Sequence, residues 1–333
     1  DVHAIDGTFT VDGTYLATFD NLYFGVDISP LTLINNGCGI GCDWSSSYVG
    51  LKTTGVDLTL NVNGKMVLDT TDYFHVDSTD TLTLNVAGEL DLSGIITNNG
   101  ETVITVSADG KIVTSTDVVV FNNDAFSENA TGYTYNKTAG TLAVTVAGFV
   151  GLADDAADGS YFVISNVADT AGSTIAVTGT GVFAANIYDE STTLAVTVSD
   201  SASFIPEEVD DISTVIPAIT SALNDNGKIV SFVGTLTATD SATVGSVDGL
   251  IAVKTATVGT ASTAMADATN DVTAHLFLGF DNYAIVYGTA ADVSVSALGT
   301  SGTLSVAVGS NAALSLVSAT STQLYTVGTN TNY

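Results

Sequence analysis

Arginine is absent from this 333-residue chain, and six lysines (Lys52, Lys65, Lys111, Lys137, Lys228, Lys254) stand against 36 acidic residues, a formal net charge of −30. Nucleic-acid binding needs Lys and Arg to displace phosphate counterions, and docking on anionic lipid needs basic clusters, so the charge argues against both. No run reaches the roughly 18 apolar residues of a membrane-crossing helix. Two cysteines cannot supply a four-ligand zinc site. His3, His75 and His275 are isolated from one another, with no metal-binding spacing, and read as ordinary surface or core residues. The chain lacks a Gly-x-Ser-x-Gly elbow, a phosphate-binding loop and a dinucleotide fingerprint. Trp44 is the single tryptophan, and sugar-binding clefts usually display aromatics, which counts against a glycosidase built on a pair of the many carboxylates. The expectation is a protein that is not an enzyme and needs no cofactor.

What is present points to a folded, acidic-surfaced protein. Hydrophobic residues make up 45% of the chain, too many for a disordered acidic tail. The length accommodates about two domains. The chain begins at Asp1 with no Met and no basic, apolar-cored leader. The expectation is an exported protein at the cell surface or outside it, with its signal peptide removed.

The apolar residues follow a repeated pattern. DLTLNVNGKM (57–66) returns as TLTLNVAGEL (81–90), 24 positions on. In the second copy Leu82, Leu84 and Val86 alternate with Thr83, Asn85 and Ala87, the period of a half-buried strand. VITVSADGKI (103–112), LAVTVAGFV (142–150), IAVTGTGVF (175–183), LAVTVSDSA (194–202) and LSVAVGSNA (304–312) share this alternation. The fold is therefore all-β, with Gly, Asn and Asp turns. Two architectures use such a unit: rungs stacked into an irregular β-solenoid, or tandem antiparallel β-sandwiches. The first two steps of the repeat suit a solenoid, but the step of 33 from 142 to 175 is irregular. The dipeptides Asn63-Gly64, Asn99-Gly100, Asp109-Gly110 and Asp158-Gly159 suit tight hairpins and tilt the reading toward sandwiches.

One stretch has helical spacing. From Phe204, FIPEEVDDISTVIPAITSALNDNG places Ile205, Val209, Ile212, Ile216, Ile219 and Leu223 on one face. Ser203 suits the cap, Pro206 the first turn and Gly227 the stop, with a kink at Pro217. This predicts a helix near 206–225 and a three-part chain: a β region over 1–202, a helical connector over 203–226 and a second β region over 227–333.

Cys38 and Cys42, in NNGCGIGCDWSSS, are first read as a disulfide in an exported protein. An internal bridge would close a very short loop and stabilise little, so bridging between molecules is the second reading. Asp69, Asp72, Asp77 and Asp80 form one acidic cluster; Asp154, Asp155 and Asp158 form another and are candidate Ca²⁺ ligands. Neither matches a known Ca²⁺ loop, and solvated loops are the commoner reading. The sequons Asn129-Ala130-Thr131 and Asn136-Lys137-Thr138 make Asn129 and Asn136 candidate glycosylation sites. Alternation through Phe9 and Val11 offers an N-terminal strand, which pairs within the domain or with another subunit's edge.

The LTLNVNG and LTLNVAG pair, the Thr/Val/Gly/Ala bias through 230–333, the missing Arg and the acidity together resemble cell-surface assembly proteins: S-layer subunits, β-rich extracellular filaments and the sheath proteins of filamentous methanogenic archaea. The resemblance implies a self-assembling, all-β envelope polymer that is a candidate glycoprotein. In sheaths it implies cross-linking, which here only Cys38 and Cys42 could carry. The expected partner is the chain itself, as a homopolymer joined through β edges. An adhesin that binds a surface glycan or protein on the same scaffold is the rival, and a polysaccharide-acting enzyme is a more distant one.

Overall fold

The computed structural model describes residues 2–4, 7–11, 22–24, 49–52, 57–68, 72–76, 80–92, 95–98, 100–114, 118–120, 127–129, 132–134, 141–154, 162–165, 172–188, 194–206, 229–246, 249–259, 272–286, 292–297, 304–308, 313–319 and 325–329. All regular elements among them are strands. The chain divides into two compact units, Asp1–Thr174 and Ile175–Tyr333.

The first unit opens with β1 (Val2–Ala4), β2 (Gly7–Val11), β3 (Leu22–Phe24) and β4 (Val49–Lys52). Then the pattern repeats in threes. β5 (Leu58–Val62), β6 (Lys65–Leu68) and β7 (Asp72–Val76) are followed by β8 (Thr81–Val86), β9 (Glu89–Leu92) and β10 (Ile95–Asn98). β11 (Glu101–Val106), β12 (Lys111–Thr114) and β13 (Val118–Val120) form the next triplet. A hairpin of β14 (Ser127–Asn129) and β15 (Gly132–Thr134) then precedes β16 (Thr141–Val146), β17 (Phe149–Leu152) and β18 (Phe162–Ser165).

Strands pair in parallel with their counterparts in the next triplet, without interruption on the first two faces and, among the described residues, with a break between β10 and β13 on the third. The first face runs β2–β5–β8–β11–β16, the second β6–β9–β12–β17. On the third, β4 pairs β7, β7 pairs β10, and β13 pairs β18. This is a parallel β-solenoid with three strands to a rung. Of the two architectures the sequence allows, the solenoid is the one found, and the antiparallel sandwich favoured by the tight-turn dipeptides is not. Among the described residues β14–β15 is the antiparallel pair.

The near-repeat now has a physical cause. In-register stacking puts Leu60, Leu84, Ile104 and Val144 in one inward row, each no more than 4% exposed. Val62, Val86, Val106 and Val146 form a second row, buried equally well. Each full burial of such a side chain contributes about 1.5–3 kcal/mol. A third inward row runs Leu82, Thr102, Leu142; Thr102 is fully buried and its Oγ1 has no hydrogen-bond partner.

Asn63-Gly64 and Asp109-Gly110 turn the chain from the first face to the second inside a rung, not back along a hairpin. At this corner the rungs stack backbone on backbone: the Gly88 N–H donates to the Val62 carbonyl at 2.8 Å, and the Lys111 N–H to the Gly88 carbonyl at 2.8 Å. A Cβ on Gly88 would lie 2.1 Å from the Gly64 carbonyl oxygen, and one on Gly110 2.1 Å from that of Val86. Glycine is required here by close approach between rungs.

The second unit repeats the plan. β19 (Thr174–Val177), β20 (Val182–Phe183) and β21 (Asn186–Tyr188) lead to β22 (Ala195–Val198) and β23 (Ser203–Phe204). β24 (Ile229–Ala238), β25 (Thr243–Val244), β26 (Leu250–Val258) and β27 (Thr273–Val286) follow. β28 (Asp292–Ala297), β29 (Leu304–Val308), β30 (Ala313–Ala319) and β31 (Tyr325–Thr329) complete it. The long strands bend from one face to the next: β26 pairs β24 through 250–253 and again through 255–258. Its core stacks Val196, Leu236 and Ala256. Phe183 and Phe204, both fully buried, meet edge to face with centroids 5.4 Å apart.

Ser203 and Phe204, placed at the start of the expected helix, lie in strand β23. The remainder of that prediction, from 207, lies outside the described residues.

Candidate functional site

The sequence-predicted positions are scattered. Cys38, Cys42, Asn136, Asp155, Asp158, Asp69 and Asp77 lie outside the described residues. Asn129 ends β14, opposite Gly132 of β15. Asp72 opens β7 on the third face, whereas Asp80 is a buried residue just ahead of β8. Of the candidate Ca²⁺ ligands Asp154 is described; it is exposed and follows β17. Among the described residues no group of three or more His, Cys, Asp or Glu is arranged to hold a metal ion.

The structure instead builds a site on the second face of the first unit. Outward positions along the ladder read Lys65, Glu89, Lys111, Phe149. Lys65 Nζ and Glu89 Oε1 form an ion pair of 2.8 Å. The adjoining row reads Asp91, Val113, Gly151. Gly151 has no side chain to continue that row, and beside it lies a cleft of about 430 Å³. Phe149 and Leu152 line it on β17, Ala153 and Asp154 just beyond, and Glu89, Lys111 and Val113 on the neighbouring strands. Phe149 is half-buried, and Lys111 is exposed with no ion pair among the described residues. The site thus combines an aromatic ring, an apolar floor, a cation and two carboxylates.

A second feature is shared by both units. In the first, outward positions of the first face include Thr59 and Asn61, Thr83 and Asn85, Val103 and Thr105, Ala143 and Thr145, while the row Thr81, Glu101, Thr141 at the start of these strands carries one exposed carboxylate, Glu101. Asn85 Nδ2 donates to Asn61 Oδ1 at 2.9 Å across the rungs. In the second, the corresponding rows are Ala195 and Thr197, Thr235 and Thr237, Thr255 and Thr257. Glu101 apart, none of these positions is charged, in a chain with 36 acidic residues.

The cleft's sequence signal is positional: Glu89, Lys111 and Phe149 each directly follow a glycine of the repeat (Gly88, Gly110, Gly148). Glu89, Lys111 and Phe149 come together through register alone, and only Asp154 was singled out, for a different chemistry. No protein-family model, curated protein or solved structure matches the chain.

Proposed function

We propose that this chain is a self-assembling extracellular structural protein that forms a cell-surface sheath, layer or filament. The observation that carries the reading is the Thr-rich outward rows on each unit, uncharged except for Glu101 at the start of β11. Copies with a net charge of −30 repel one another, and they approach at least cost where charge is absent. Depletion of charge is also what marks the centre of protein interfaces. The backbone edges at the ends of any stack of rungs supply a second, directional contact by strand pairing. Contacts that do not close give open polymers. In this reading the partner is another copy of the chain, no catalysis is involved, and Asn129 and Asn136 are carriers of glycans.

Negative-stain electron microscopy of the native protein across a salt series, with and without reductant, tests the reading. Regular tubes, sheets or fibres support it, and loosening by reductant assigns Cys38 and Cys42 to bridges between subunits. Dispersed monomers at every salt concentration would sink it.

A further inference from the structure

We propose that the cleft beside Gly151 binds a neutral saccharide about two sugar units long. This inference is independent of the assembly reading. It starts from an inventory of what the cleft offers. The half-buried Phe149 ring presents a flat apolar surface of the kind against which the C–H face of a pyranose packs. Val113 and Leu152 extend that apolar surface. Around them stand Glu89 and Asp154, carboxylates that accept hydrogen bonds from hydroxyl groups, and Lys111, an ammonium that donates them. A sugar ring carries donors and acceptors at its rim and an apolar face, so both halves of the inventory are used.

Charge selects among ligands. An anionic ligand meets the field of a chain with net charge −30. A cationic one meets Lys111 between Glu89 and Phe149. A neutral polyol meets neither penalty, and each ionised group strengthens its hydrogen bond to a hydroxyl. Size agrees as well: about 430 Å³ falls toward the small end of the roughly 300–1,000 Å³ typical of small-molecule sites. The ligand is therefore a short stretch of a neutral glycan.

The register explains why the site occurs at this one rung. Lys65 engages Glu89 from one side, so the carboxylate is held in place while its other oxygen remains available to a ligand. On the next rung Lys111 takes the same position, and on the next Phe149. The residue two positions after Phe149 is glycine, and the outward row stops there. The rungs before it carry Asp91 and Val113 in that place.

Isothermal titration calorimetry of the full chain with maltose, cellobiose, mannobiose and chitobiose tests the proposal, with digalacturonate as the acidic comparison. At least one neutral disaccharide is expected to bind. Phe149→Ala is expected to weaken that binding by about tenfold or more. Asp154→Asn, an isosteric change at an exposed position, is expected to weaken it by a smaller factor. Thr145→Ser, at an exposed position on the first face that does not line the cleft, serves as the variant that retains fold and sugar contacts alike. Binding to none of the neutral sugars overturns the proposal. So does binding that is indifferent to both Phe149→Ala and Asp154→Asn, and so does binding of digalacturonate alone.

Discussion

Asp240 reaches back one rung to Asp200: its Oδ2 accepts the Asp200 N–H at 3.4 Å, and both residues hold a φ of 59°. Asp200 does the same for the rung before, accepting the Gly179 N–H through Oδ2 at 2.9 Å, and Gly179 has a φ of 63°. The three residues occupy one corner of three consecutive rungs. The left-handed conformation costs an ordinary residue about 1–2 kcal/mol, and Asn and Asp tolerate it best. The side-chain oxygen then satisfies a backbone donor that the turn would leave to solvent.

This corner separates geometry from charge. Asp200→Asn and Asp240→Asn keep the accepting oxygen and the tolerance of positive φ, and they remove two like charges stacked one rung apart. Both variants are expected to be as stable as the parent or slightly more stable, by up to about 0.5 kcal/mol, with the gain fading as salt is added. Asp200→Ala loses the acceptor and adopts the strained turn without compensation, so a loss of about 1–2 kcal/mol is expected. Urea unfolding at low and high salt distinguishes the two effects. A stabilising Asp200→Ala would refute the account of the turn.

Gly88 and Gly110 set a harsher test. Their missing Cβ atoms would each sit 2.1 Å from a backbone carbonyl of the preceding rung, and a backbone neighbour cannot swing aside. Gly88→Ala is expected to cost about 3–5 kcal/mol, at the far end of single substitutions. Gly172→Ala makes a useful contrast. No atom lies within 4 Å of its Cβ position, and its φ of +82° makes strain the main penalty, about 1–2 kcal/mol. Equal losses at the two sites, measured by denaturant titration, would contradict the close-approach explanation.

Thr102 is expected to behave in the opposite direction. Its hydroxyl is buried in a row of leucines and has no hydrogen-bond partner, so it carries a desolvation cost of about 1–3 kcal/mol with no return. Thr102→Val keeps the shape and β-branching and removes the orphaned oxygen. The variant is expected to be more stable by about 1 kcal/mol, read as a higher denaturation midpoint with an unchanged slope. A destabilised variant would mean that the hydroxyl has a partner in solution.

The strands were legible in the sequence because burial on one face forces alternation whatever the direction of the neighbour. LTLNVNG and LTLNVAG mark rungs that differ by a constant 24 residues, Leu58 pairing with Leu82 and Val62 with Val86. Direction was not legible. Asn63-Gly64 and Asp109-Gly110 suit a hairpin turn and a rung corner equally, and only contact with the preceding rung distinguishes them. The step from Thr102 to Leu142 also obscured the period, since the β14–β15 hairpin is inserted between those rungs. The cleft was hidden for a related reason. Lys65, Glu89, Lys111 and Phe149 each directly follow a corner glycine (Gly64, Gly88, Gly110, Gly148), but they differ in chemistry, and an outward row across rungs exists only once the register is known.

The uncharged rows on these faces lead to the last prediction. If copies meet through these rows, a single carboxylate placed at the middle of one should act far beyond its effect on folding. Thr83 and Thr237 are half-buried outward positions flanked by rungs on both sides. Thr83→Glu and Thr237→Glu leave the inward rows intact, so each is expected to lower stability by no more than about 0.5 kcal/mol. In an assembled interface the same charge would be desolvated opposite its own copy, which costs several kcal/mol. Light scattering is therefore expected to show assembly of the parent chain rising with salt, as the screening length falls from about 30 Å at 0.01 M to about 8 Å at 0.15 M. The two variants should stay dispersed at salt concentrations where the parent assembles. Assembly of both variants at the parent's threshold would move the contact off these faces and onto the strand edges at the ends of the stack.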